Sequence, residues 1–284
     1  MSRKGSLFVS VEVRLRFAGM LIRIVPPFVR KLIYHLPVAN ILRQWLNRVT
    51  FEGFTWVTVA AGLAQGIHIL IDLSCEKYYY LGTYEQDLQS VFPKILLPGH
   101  TVYDVGAHAG FFSLALARIV GSKGQVYAFE PLPENYHRIQ AASKKNNLPQ
   151  IIVIRSAVAN RVGMTNLYIA SNTSIGSLLK QGHSSLEVKM ISLDSFVYDE
   201  GNPPPDLIKI DIEGAESLAL EGMNYLAKEF APTILIEIHE GKAEFVLSWM
   251  AEHSYSIYRL HGDLSTPIEL SRSETGHFLA KHKL

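Results

Sequence analysis

Residues 101–120 read TVYDVGAHAGFFSLALARIV, and this stretch decides the fold. Thr101–Val105 is a short β-rich apolar run, the next five residues include two glycines, and Phe111–Val120 is apolar over a helical length. A strand that turns through glycines straight into a helix opens a parallel βα unit. The pattern continues, with Gln125–Phe129 reading as strand, residues 134–146 as helix and 151–155 as strand. Parallel strands joined by helical crossovers bury both sheet faces, so a doubly wound α/β sheet is expected. Two period-2 runs, 165–170 and 186–191, interrupt the alternation and read as an inserted β-ribbon. A Pro203-Pro204-Pro205 spacer then leads into strand Leu207–Ile210, helix 215–222, strand Thr233–Ile238, helix 242–252 and two closing strands, 256–260 and 276–280.

Towards the N-terminus, residues 84–96 read as a polar helix ended by Pro98-Gly99, and 55–73 as a hairpin broken by Gly62 and Gly66. Three segments are therefore expected: a helical N-terminal extension over 1–50, a hairpin and helix over 51–98, and the α/β domain over 99–284. With 284 residues, 48% of them hydrophobic, the chain can build a sizeable core, and dominant disorder is excluded. The net charge of +1 conceals an asymmetry. Residues 1–50 hold nine basic side chains and one acid, a charge of +8, which leaves −7 for the remainder.

The apolar run 32–42 is broken by Pro37 and falls short of the roughly 20 residues a bilayer span needs. Basic residues recur throughout 1–50, unlike in a secretory signal, so a cytoplasmic location is expected. The extension is amphipathic: Phe28, Leu32, Ile33 and Leu36 oppose Arg30 and Lys31. It could pack on the main domain or lie peripherally on an anionic membrane surface. A nucleic-acid partner is disfavoured by the acidic remainder. Cys75 is the single cysteine, so no intramolecular disulfide can form, and no His/Cys spacing suggests a structural zinc site.

Ligands of open α/β sheets bind beyond the carboxyl ends of the strands, where the strand order reverses. The first turn, Asp104-Val105-Gly106-Ala107-His108-Ala109-Gly110, has the spacing G-x-x-x-G after an acid, in place of the dinucleotide pattern G-x-G-x-x-G. A carboxylate at Asp104 would repel a pyrophosphate but suits a cationic ligand with an amino group. Glu130 ends the second strand about 20 residues beyond the glycine turn, where an acid can accept both ribose hydroxyls. A nucleoside with a positively charged tail is implied, and S-adenosylmethionine fits. Taken singly, Asp104 could be a turn residue and Glu130 a solvated strand end.

The segments VYDVGAHAGFFSLALAR, QVYAFEPLPEN, IIVIRSAVA, ISLDSF, LIKIDIEGAE and ILIEIHE resemble, in order, the FkbM family of S-adenosylmethionine-dependent methyltransferases. The likeness covers roughly residues 84–240. It implies a Rossmann-like class I methyltransferase fold and methylation of a hydroxyl on a sugar, glycan or secondary metabolite. By position, it implies that Asp104, Gly106, His108 and Gly110 form the cofactor loop and that Glu130 holds the ribose. Ser156 and Ala157 would flank the adenine, and Tyr84 with Glu85 could close over the cofactor. His108 departs from the family's usual Asn in GANxG. The segment 172–177 is similar to a family Ser-Ser-Leu region, or is simply a polar turn.

Period 2 points Lys209, Asp211 and Glu213 one way, with Asp211 towards the methyl donor, and gives Glu237 and His239 a shared face. A sugar hydroxyl has a high pKa, so a general base should assist. His239 is the candidate base, with Asp211 or Glu237 orienting it; the alternative is that His239 only caps a strand end. A divalent metal would also explain the carboxylates. Lys209 could balance their charge instead, and no metal is expected. His261, His277 and His282 show no partner pattern. Two rival classes remain: an NAD-dependent oxidoreductase, against which the missing G-x-G-x-x-G counts, and a non-catalytic membrane-surface protein that retains the fold.

Overall fold

The computed structural model describes residues 53–169, 176–177, 184–260, 264, 267–268, 270–271 and 274–283. The N-terminal extension, most of the 172–177 segment and His261 lie outside them. The chain divides into two compact units, Met1–Gln86 and Asp87–Leu284.

In the first unit, β1 (Phe54–Thr58) pairs antiparallel with β2 (His68–Asp72), which is the expected hairpin. Val57, Ile69 and Ile71 are buried, together with Tyr79 and Tyr80 of helix α1 (Lys77–Leu81). The Glu76 carboxylate, itself buried, accepts a hydrogen bond from the Asp72 amide at 2.8 Å and ties the hairpin to that helix.

The second unit is built on a seven-stranded sheet. Helix α2 (Gln86–Ile95) leads into β3 (Thr101–Val105), α3 (Phe111–Val120), β4 (Gln125–Phe129), α4 (Pro133–Lys145) and β5 (Ile151–Ile154). A four-stranded insert follows: β6 (Ala157–Val158), β7 (Gly163–Ile169), β8 (Gly176–Ser177) and β9 (Ser184–Ile191). β7 and β9 pair antiparallel, which is the ribbon read from the alternation. Then come α5 (Leu193–Tyr198), β10 (Leu207–Ile210), α6 (Glu216–Glu221), α7 (Asn224–Phe230), β11 (Thr233–Ile238), α8 (Ala243–Glu252), β12 (Tyr255–Arg259) and β13 (Gly276–His282). The spatial order is β12-β13-β11-β10-β3-β4-β5; β3, β4, β5, β10 and β11 pair in parallel and β13 runs against both neighbours.

The order reverses between β3 and β10. Right-handed crossovers therefore carry α3 and α4 to one face and the helices after β9 to the other. Tyr103, Phe129, Ile210 and Ile236 point to the second face, where they meet Phe196, Leu226 and Trp249. The rings of Tyr103, Phe129 and Phe196 lie 5.0 to 5.5 Å apart in edge-to-face pairs, the arrangement that aromatic quadrupoles favour. Tyr103 donates its hydroxyl to the Pro203 carbonyl at 2.6 Å, so the proline spacer satisfies a phenol at the core.

Helices α5 and α7 are absent from the sequence reading. Ser192 caps α5 with its own hydroxyl, but the residue that precedes α7, Met223, provides no side-chain cap. Its cap comes from Asp194, whose carboxylate accepts the Tyr225 and Leu226 amides at 3.1 and 2.8 Å. Among the described residues, no helix is long and apolar enough to cross a membrane.

Candidate active site

The glycine turn leaves β3 at its carboxyl end, beside the point where the strand order reverses. Gly106 has φ +84°, and a Cβ there would lie 1.9 Å from the Asp211 carbonyl oxygen, at the end of β10. The glycine thus lets two backbones touch, which is a tighter constraint than room for a ligand. At Gly110 the analogous Cβ would meet Ile139 of α4 at 2.9 Å. The Gly106 and Ala107 amides both donate to the Phe129 carbonyl at 3.1 Å, clamping the turn onto β4. His108 has φ +50°, a left-handed conformation in which Asn, Asp and His are the enriched non-glycine residues. The family's usual Asn and the His found here therefore answer the same backbone demand.

Glu130 closes this turn. One carboxylate oxygen accepts the His108 amide and the other the Leu132 amide, each at 2.9 Å, and the side chain is 5% exposed. Burial pushes its carboxyl up to about 7, while those two amides, Asn135 and the Arg138 charge pull the other way. Ser156 and Ala157 are buried just past β5, near the same sheet edge. Tyr84 belongs to the first unit, where its ring stacks on Tyr78 at 5.1 Å and meets Tyr79 edge-on at 4.8 Å.

Asp104 takes a different place from the one its sequence position suggests. It is 0% exposed; Ser113 of α3 donates to its Oδ2 at 2.5 Å, and the Lys209 ammonium lies 3.6 Å from Oδ1. It faces a protein cation and supports the turn from beneath, instead of lying open to a ligand's amino group. Lys209 sits opposite Asp104 in the β3–β10 register, is 2% exposed, and also donates to Asp211 at 3.1 Å. Burial works against ionisation of Asp211, but the Lys209 charge and side-chain hydrogen bonding with Glu237 and Lys209 hold its carboxyl down at about 2.

The strand ends bring together the residues that period 2 aligned. Asp211 and Glu237 follow directly on the paired Ile210 and Ile236. His239 stands among three carboxylates: Nδ1 is 3.0 Å from the buried Glu216, and Nε2 is 3.6 Å from Glu213 and 3.8 Å from Glu237. Glu213 and Glu216 raise its pKa, burial opposes them, Glu237 adds to the rise, and the result is about 10. The neutral imidazole expected of a base is thus replaced by an imidazolium, because Glu213 and the buried Glu216, which the Gly214 amide anchors, both face the ring. His277 joins the group from β13, directly opposite Glu237. Nothing local in the sequence marks it; only the antiparallel register of β13 places it there.

The doubly wound sheet with one reversed strand, the turn closed by the buried Glu130 and the acid-rich strand ends thus meet where the strand order reverses, the position at which such folds bind their ligands. The family model described as the Methyltransferase FkbM domain matches residues 104–257, more than half of the chain, and the protein belongs to that family. The hexuronic acid methyltransferase AglP of Haloferax volcanii is 27% identical over 157 residues, covering 55% of this chain; the matched part spans 63% of that relative's length. Among solved structures, the methyltransferase FkbM of Methylobacillus flagellatus is 16% identical with a TM-score of 0.47, covering 74% of this chain and 52% of that one. An O-methyltransferase of Thermotoga maritima is 14% identical with a TM-score of 0.44, covering 70% and 65%.

Proposed function

We propose that the protein transfers a methyl group from S-adenosylmethionine to a hydroxyl of a sugar or glycan. The observation that carries the reading is the meeting of the Glu130-closed turn with Asp211, Glu237 and His239 at neighbouring strand ends. A sugar acceptor is supported by the name of the Haloferax volcanii relative.

When bound, the cofactor supplies a methyl group on a sulfonium, already a good leaving group. The residues present fit it: a buried acid for the ribose, glycine-shaped backbone beside it, and carboxylates for the positive charge. In this reading Glu130 accepts from the ribose hydroxyls, and Gly106, His108 and Gly110 shape the loop around them. Asp104 fixes the loop from below through Ser113. Ser156 and Ala157 border the base, and Asp211, held ionised by Lys209, faces the positive centre. Glu237 accepts from an acceptor hydroxyl, while His239 offers an N–H from Nε2. Fixing the acceptor oxygen in line with the methyl carbon accounts for much of the acceleration.

Labelled methyl transfer to a panel of sugars and sugar conjugates tests the function, alongside binding of S-adenosylhomocysteine and NAD. Transfer with tight S-adenosylhomocysteine binding is the expected result; NAD binding without it rejects the reading in favour of an oxidoreductase.

Glu130 supplies a second check. In the free protein its raised pKa contributes stability below the ordinary carboxylate value that is lost as pH rises through about 7. Binding runs the opposite way, since ribose hydroxyls need the ionised acceptor. S-adenosylhomocysteine affinity should therefore rise up to about tenfold between about pH 6 and pH 8. Glu130→Gln should bind more weakly and flatten that dependence, as read by calorimetry; an unchanged profile removes Glu130 from the ribose site.

Peripheral membrane contact is a separate proposal resting on the +8 charge of residues 1–50. Their removal should abolish any binding to anionic vesicles, and undiminished binding would refute it.

A further inference from the structure

Two buried side chains of α4 stand behind the turn that Glu130 closes. Asn135 is 0% and Arg138 2% exposed, and three residues apart on a helix they share a face. Arg138 Nη1 donates to Asn135 Oδ1 at 2.9 Å, which leaves the Nδ2 protons of Asn135 as its donors. The Asn135 side chain is in turn hydrogen-bonded to Glu130, and an ionised carboxylate only accepts, so the chain of bonds runs from guanidinium to amide to carboxylate. The residue after Arg138, Ile139, is the one that a Cβ at Gly110 would strike at 2.9 Å; α4 therefore packs directly on the cofactor turn. Four groups favour the charge of Glu130: the His108 amide from the turn, the Leu132 amide at the entrance to α4, and from α4 itself Asn135 and the positive charge of Arg138. Burial opposes them and is the largest influence.

A guanidinium keeps its proton at every pH at which a carboxyl titrates, so Arg138 adds a permanent charge where the amides add only dipoles. Burying such a charge is costly unless an opposite one shares its surroundings, and the carboxylate it acts on is that of Glu130. We propose that Arg138, acting through Asn135, is a positioning residue of the cofactor site, keeping Glu130 charged and aimed at the ribose hydroxyls. The inference rests on the reading of Glu130 as the ribose acceptor. Arg138 itself touches no part of the cofactor in this arrangement; its effect reaches the ribose only through the state of Glu130.

The test is calorimetric binding of S-adenosylhomocysteine to the full chain across pH, each variant being compared with native protein at the same pH so that titration of the ligand cancels. Arg138→Gln should bind about fivefold more weakly at about pH 7 and within about twofold of native at about pH 9, because Glu130 then ionises about one pH unit later. Arg138→Lys, which keeps a charge but loses the planar fork, should lose less. Asn135→Ala should shift the dependence in the same direction as Arg138→Gln. An equal loss at every pH would make Arg138 structural only and overturns the inference, as does an unchanged profile. A readout without cofactor is the ¹³C carboxyl signal of Glu130, assigned with Glu130→Gln. In Arg138→Gln its titration should move up by about one pH unit, and an unmoved titration overturns the inference. If Arg138→Gln fails to fold, Arg138→Lys and Asn135→Ala decide by the same two readouts. Glu130→Gln binding as tightly as native protein at every pH overturns the ribose reading itself, and the cofactor role of Arg138 with it; a carboxyl titration that still moves separates that failure from a failure of the coupling.

Discussion

Gly106→Ala should abolish S-adenosylhomocysteine binding and destabilise the second unit by at least about 3 kcal/mol in urea unfolding. At φ +84° a side chain alone costs about 1–2 kcal/mol, and this Cβ would also sit 1.9 Å from the Asp211 carbonyl oxygen. That oxygen belongs to backbone, so relief requires the ends of β3 and β10 to move apart. The strand ends carry Asp104 and Asp211, and separating them breaks the bridge through Lys209. Gly99→Ala is the control: φ is +94° there, but nothing lies within 4 Å of the added carbon. It should lose only the conformational part, about 1–2 kcal/mol, and keep full cofactor affinity. Equal losses in the two variants would show that the close approach of β3 and β10 is unimportant.

Lys209→Ala should cost about 3–5 kcal/mol, because it leaves the carboxylates of Asp104 and Asp211 buried without their cation. The ammonium also lies over the Phe112 ring, 5.6 Å from its centre, and the side chain is buried, so some of the loss is cation–π contact and packing. Lys209→Met keeps that packing, and adding Asp104→Asn removes one stranded charge. The double variant should recover part of the stability, with non-additivity measuring the coupling. The sign of the pH effect follows from Asp211. Its depressed pKa contributes stability that is complete above the ordinary carboxylate value and is lost as pH falls through about 2. Without Lys209 that contribution disappears, so Lys209→Ala should show its largest deficit relative to native protein near neutral pH and a smaller one in acid. A deficit independent of pH would mean that Lys209 matters only for packing.

The parts of this protein that local chemistry determines were legible in its sequence. Strands Thr101–Val105, Leu207–Ile210 and Thr233–Ile238 have the bounds their residues suggest, since each is a β-rich, mostly apolar run with a single charged side chain, set between turn-forming neighbours. The alignment of Lys209 with Asp211 and of Glu237 with His239 follows from strand period alone. What depends on distant partners was not legible. Helix α7 takes its cap from Asp194, 31 residues before Tyr225, so the local residues carry no start signal. Asp104 looked like a ligand contact until Ser113 and Lys209 closed around it. The charge on His239 depends on Glu213 and Glu216, brought close by the left-handed turn at Glu213 and Gly214 that precedes α6. His277 gained its neighbours only when β13 inserted antiparallel beside β11.

That insertion also orders events during folding. Strand β12 precedes β13 in the chain but sits outside it, so β11 and β12 cannot be bridged until Gly276–His282 has been synthesised and slotted between them. Until then two strand edges stay open, and pairing them is a non-local step of the kind that folds slowly. On the ribosome, the glycine turn and Glu130 can take shape while the β11 edge is still missing a strand; the side that carries Glu237 and His277 is therefore the last part of the sheet to be completed.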